Sequence, residues 1–140
     1  MVNRNQSTPR GVSDPGGFTL IELMIVISII LILVAVAVPI YQQSIIRAKE
    51  AVLMQDLKTM RDQIDNYTMD KEKAPQALQD VVDAGYLRKI PTDPFTGSAE
   101  TWQVENSDLL ISLDQTEPGI SDVHSGSNLV GSNGVAYSSW

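Results

Sequence analysis

The residue types that could do chemistry cluster at one place. In Gly17-Phe18-Thr19-Leu20-Ile21-Glu22-Leu23 a small residue, an aromatic and a carboxylate stand at the head of an apolar run that continues to Ile40. Glu22 lies inside sequence otherwise suited to hydrocarbon. An ionisable group in a membrane span costs about 2.5–3.5 kcal/mol on insertion scales, so it calls for a partner and a purpose. Elsewhere the sequence offers little reactivity. The chain has no cysteine, which excludes disulfides, cysteine-ligated zinc and thiol nucleophiles. His124 is the single histidine and reads as a surface or packing residue. No nucleophile–base pairing, glycine-rich phosphate loop or metal-ligand spacing is visible, so no enzymatic activity is expected.

The elements that must carry this segment follow from its surroundings. Residues 1–17 are rich in Asn, Ser, Pro and Gly, with Arg4 and Arg10 set against Asp14, and hold no apolar run. Such a stretch cannot bury enough surface to fold, and reads either as a detachable leader or as a plain tail. Phe18 to Ile40 is 23 residues, interrupted only by Thr19, Glu22, Ser28 and Pro39. A helix of that length spans roughly 35 Å, enough for a bilayer core. A signal peptide has a shorter apolar core, although Ala35 and Ala37 could mimic its cleavage site. A buried core helix is a poor alternative, because the rest of the chain is too small to enclose it. Two basic residues precede the span and two follow closely, so charge does not decide orientation. Pro39 predicts a kink or a loosened turn over residues 35–39.

Past the proline the helical pattern resumes. Leu53, Leu57, Met60, Ile64 and Tyr67 recur at steps of four, three, four and three, which places them on one face of a helix reaching about Met69. Pro75 fits a first helical turn of a short second helix with Leu78, Val81 and Val82 on its apolar face and Gly85 as its C-terminal cap. Residues 90–97 read as a turn-rich loop. Strand candidates follow at 101–105, 109–113 and 119–124, with Asn106-Ser107-Asp108 as turn chemistry between the first two and an edge strand over 135–140. The expected fold is α+β: a long N-terminal transmembrane helix over 18–70, spanning the membrane at 18–40, then a head over 71–140 with a short helix and a small antiparallel sheet. A net charge of −7 argues against nucleic acid as a partner.

The segment around Gly17 resembles the processing site of type IV pilins and type II secretion pseudopilins. In the head, Gly85-Tyr86-Leu87, Ile90-Pro91, Asp93-Pro94-Phe95 and Gly97 look like the short-helix and loop segment of the major pseudopilin, or G protein, family. Residues 119–126 resemble the strand entering that family's final loop, and Trp140 its terminal aromatic. The resemblance implies cleavage between Gly17 and Phe18 by a prepilin peptidase, then N-methylation of Phe18. It implies that Glu22 pairs with the Phe18 amine of a neighbouring subunit and so sets the register of a helical homopolymer. Read alone, Glu22 could instead snorkel to the headgroups. The leader is longer and less basic than the family's usual one.

The family head often holds calcium in its last loop. Here Asp122 matches one acidic position, but residues 125–134 contain no Asp or Glu. Calcium seeks 6–8 oxygens, and beside Asp122 only backbone carbonyls, Ser127, Asn128 and Asn133 remain as ligands, so Asp122 reads first as a turn or strand-end residue, with a calcium ligand as the alternative. The resemblance implies a structural subunit of a type II secretion pseudopilus, anchored by a single pass in a bacterial inner membrane with its head in the periplasm. From there it would pass into a periplasm-spanning filament. Its partners would be further copies, minor pseudopilins, the peptidase, the inner-membrane assembly platform and lipid. A type IV pilin for adhesion, motility or DNA uptake shares the same anchor. A membrane-anchored binding module or enzyme, and a protein secreted after cleavage near residues 36–42, are the readings of other classes.

Overall fold

A computed structural model describes residues 16–108, 113 and 118–140. Helix α1 runs from Leu20 to Lys71, with helical backbone unbroken through Pro39. The chain divides after that proline, and Ile40–Trp140 forms one compact unit. In the segment before it, every side chain from Gly16 to Pro39 is exposed. A helix with apolar groups on all sides and none covered needs lipid or other helices.

Within the second unit, the stripe expected from the sequence is the core. Leu53, Leu57, Met60 and Ile64 of α1 are buried against Leu78, Val81, Trp102, Ile120, Val123 and Tyr137. The helix ends at Lys71, and Glu72 follows in the left-handed region at φ 54°.

Helix α2 is Leu78–Asp83, and Pro75 lies before it instead of in its first turn. The proline is fully buried, and its carbonyl accepts the Ile120 N–H at 2.7 Å, so it ties the approach to α2 to the sheet. Ala77 has no side-chain acceptor for the helix start. Asp80 supplies one by reaching back to the N–H groups of Gln76 and Ala77 at 2.9 and 3.0 Å. At the other end Gly85, with φ 85°, donates to the Val82 carbonyl, and Tyr86 donates to that of Val81. These two bonds are a Schellman closure, which requires a left-handed residue at Gly85.

Strands β1 (Gln103–Asn106) and β2 (Ile120–His124) form a two-stranded antiparallel sheet. Glu105 faces Asp122, yet Asn106 faces Ile120, so Ser121 is an extra residue on β2. That bulge explains why Ile120 and Val123 both point inward although they are three apart. The expected strand over 109–113 lies largely outside the described residues, of which Leu113 is in a turn.

The expected edge strand over 135–140 is corrected. Only a single bridge, Val130 to Ala136, is present there, followed by a 3-10 helix over Tyr137–Ser139. Aromatic packing explains the difference. Tyr137 stacks on Phe95 at 3.8 Å between ring centroids, and Trp140 meets Tyr137 edge-on at 5.0 Å. A strand would send residues 137 and 140 to opposite faces, whereas a 3-10 turn brings i and i+3 onto one side.

Candidate functional site

Gly16, Gly17, Phe18 and Thr19 precede the helix without regular structure. Nothing lies within 4 Å of where a Cβ on Gly17 would sit, and Phe18 is 85% exposed. Among the described residues nothing covers the bond between them. Thr19 caps the helix: its hydroxyl accepts the Glu22 N–H at 3.2 Å and its carbonyl accepts the Leu23 N–H at 3.1 Å. This places Glu22 in the first turn, where the helix dipole favours an anion. Thr19 was not singled out from the sequence, although Thr-x-x-Glu ahead of an apolar run is a capping signature.

In the head, three charged residues fasten the last loop. Glu50 is buried, and its carboxylate accepts the Ser132 N–H and hydroxyl, both at 2.6 Å, and the Tyr137 hydroxyl at 2.9 Å. Ser132's hydroxyl and then its N–H hold the Glu50 carboxyl below its usual range, against the opposing effect of burial. Burial, with the hydrogen bond to Glu50, pushes Tyr137 up to about 12. The signal for Glu50 was its position three residues before Leu53, on the same helical face as the core stripe.

Asp93 is also buried. One carboxylate oxygen accepts the Phe95 and Thr96 N–H groups, closing the turn, and the other accepts the Ser125 hydroxyl at 2.6 Å and the Gly126 N–H at 3.2 Å. Arg61 completes the set. Its Nε meets Asp122 at 2.5 Å, and Nη2 donates to the carbonyls of Val123 and Trp140 at 2.9 and 2.8 Å. One guanidinium thus joins α1 to β2 and to the last residue.

These contacts bear on calcium. Asp122 Oδ1 is engaged by Arg61 and by the Val123 N–H. In the last loop the Ser125 and Ser132 hydroxyls donate to Asp93 and Glu50, while Ser127 and Asn133 oxygens accept backbone N–H groups. Side-chain oxygens already committed to protein partners count against a hard-cation cage built from side chains in this loop.

Comparison with known proteins adds to this geometry. Residues 14–38 match the model of the prokaryotic N-terminal methylation motif. The type IV major fimbrial protein FimA of Dichelobacter nodosus is 47% identical over 62 residues, 44% of this chain and 39% of that protein. The chain thus spans about two fifths of the FimA relatives it matches. The type II secretion system core protein G of Klebsiella pneumoniae is 32% identical over 95 residues, 56% of this chain and 68% of the relative. That of Pseudomonas aeruginosa is 35% identical over 95 residues, covering 56% and 67%. No solved structure shows significant similarity.

Proposed function

The chain belongs to the type IV pilin-like family that includes the type II secretion system core protein G, and on that premise we propose that it is a major pseudopilin, the repeating subunit of a secretion pseudopilus. The observation that carries this reading is the reach of the similarity. Core protein G relatives align over 95 residues, well beyond the 62 shared with FimA.

In this reading a prepilin peptidase cuts after Gly17, and the new Phe18 amine is methylated and stays cationic. The apolar part of α1 waits in the inner membrane with the head in the periplasm. On the assembly platform, Glu22 of an incoming subunit meets the Phe18 amine of a neighbour inside a bundle of apolar helices. Removing one member of a buried pair costs about 3–5 kcal/mol, enough to fix the axial register. A contact that repeats without closing generates a helical fibre. Minor pseudopilins would complete it. The subunit contributes no catalysis, and calcium has no part in its last loop.

A second reading, a subunit of a surface pilus, is favoured by one observation: the identity to FimA rises to 47% over the stretch they share. Two measurements test the proposal. Mass spectrometry of the membrane-derived protein should give methylated Phe18 as the first residue; a start near residues 36–42 would overturn both readings. Deleting the gene should block export of folded proteins. Loss of surface fibres with export intact would favour the pilus.

A further inference from the structure

The solvent face of the sheet carries a group of side chains that the filament reading does not use. Asp122 and His124, two apart on β2, share a face, and Glu105 of β1 stands directly across from Asp122. His124 Nε2 lies 3.5 Å from Glu105 Oε2 and 3.7 Å from Asp122 Oδ2, and one ligand atom from each residue falls within 4.8 Å of the others. His124 Nδ1 is 2.6 Å from the Trp140 carbonyl oxygen. A carbonyl only accepts, so Nδ1 carries the proton, and in the neutral ring Nε2 presents a lone pair to two carboxylates. Three electron-rich atoms facing one another are stabilised by a cation held between them.

We propose that Glu105, Asp122 and His124 form a binding site for one divalent transition-metal ion of the zinc type. Zinc bonds of about 2.0–2.2 Å set tetrahedral ligand atoms roughly 3.3–3.6 Å apart, close to the 3.5 and 3.7 Å from His124 Nε2 to the two carboxylates. An imidazole with two carboxylates suits zinc over calcium or magnesium, which take oxygen donors. The surrounding contacts match those of a metal centre. The Trp140 carbonyl fixes the imidazole tautomer from behind, as outer partners of metal-bound histidines do. Arg61 holds Asp122 by Oδ1 and leaves Oδ2 turned toward the histidine. Arg61 is also the nearby positive charge, 3.5 Å from His124 Nδ1, so it offsets part of the two carboxylates and keeps the affinity moderate. With three protein ligands, a fourth position would be left for water. The role is structural: the ion clips β1 to β2 where the bulge weakens their pairing.

The single histidine makes the test direct. The full chain, purified in detergent without a polyhistidine tag, is titrated with zinc chloride by calorimetry while the imidazole proton resonances of His124 are followed. Expected are one zinc per chain and a saturable shift of those resonances. Binding should weaken by about tenfold or more in both His124→Gln and Glu105→Gln. Glu105 has a 69% exposed side chain, so E105Q should melt like the parent without metal and isolates ligation from folding. Absence of saturable binding, or an affinity in E105Q and H124Q equal to the parent's, overturns the proposal. So does an imidazole that titrates with pH and ignores zinc, because the trio is then a proton-bridged ion pair.

Discussion

Tyr137 donates its hydroxyl to Glu50 across 2.9 Å, joining residues 87 positions apart. The bond fastens the last loop to the second half of α1, and Ser132 gives the same carboxylate two further bonds. Truncating a buried acceptor strands its donors at about 1–3 kcal/mol. Glu50→Ala should therefore lower the melting temperature of the head by roughly 10 °C. Tyr137→Phe keeps the stack on Phe95 and removes one bond, so its cost should be nearer 1 kcal/mol. Thermal unfolding of both single variants and the double variant checks this. Additive effects would show that the two residues are not coupled.

The same contact sets a dependence on pH at both ends. Glu50's folded pKa lies below its ordinary 4.5, chiefly through Ser132. Its contribution is therefore present above about 4.5 and fades as the pH falls through the depressed folded value. Tyr137 runs the other way. Its folded value is raised from 10.0 to about 12, mainly by burial, so its contribution is intact below 10 and is lost as the pH climbs from 10 toward 12. Tyr86 is also raised, through its hydrogen bond to Asp70, and adds to the alkaline limb. Melting temperatures across pH should show both losses. Tyr137→Phe should flatten the alkaline limb only in part, leaving the share of Tyr86.

The proposal that the last loop is held by protein contacts alone has a calcium test. A site filled at a hundred times its Kd would add about 2.7 kcal/mol and shift melting by several degrees. Adding millimolar calcium to the metal-free chain should leave its melting temperature unchanged. A clear rise, lost on Asp122→Asn, would mean that the loop rearranges around an ion.

What the sequence disclosed depended on how far apart the interacting residues lie. The core stripe of α1 was legible because Leu53, Leu57, Met60 and Ile64 repeat within one helix, and the Gly85 closure because glycine marks it locally. Asp93 shows the opposite case. As sequence it is one acid in a proline-rich turn, and its buried role depends on Ser125, 32 residues on. Glu50 and Ser132, 82 apart, pose the same difficulty. The end of the chain misled for another reason. Val135 to Trp140 has strand-like composition, but the pull of Tyr137 and Trp140 toward one side outweighs it. The β2 bulge was equally hidden, since Ser121 looks like any exposed strand residue.

A substitution can separate the dipole contribution of Glu22 from the pairing role proposed for it. Its backbone N–H is capped by Thr19, and this survives any side chain. Its carboxylate also sits in the first turn, where charge–dipole attraction is worth about 0.3–1 kcal/mol. Glu22→Gln removes only the charge and keeps the size and the helix. If the dipole were the whole role, the variant would insert, be cut after Gly17 and assemble nearly as well as the parent, because so small a loss barely changes a polymer of many contacts. If the carboxylate pairs with a neighbour's Phe18 amine, the variant should be processed normally and yet fail to polymerise, since a cation is then left in apolar surroundings at about 3–5 kcal/mol per subunit. Processing is read by mass of the mature chain and assembly by sheared filaments from overexpressing cells. Thr19→Val, which removes the capping hydroxyl and leaves the charge, should assemble. Normal filaments from Glu22→Gln would end the pairing model, whatever the fate of the Thr19 variant.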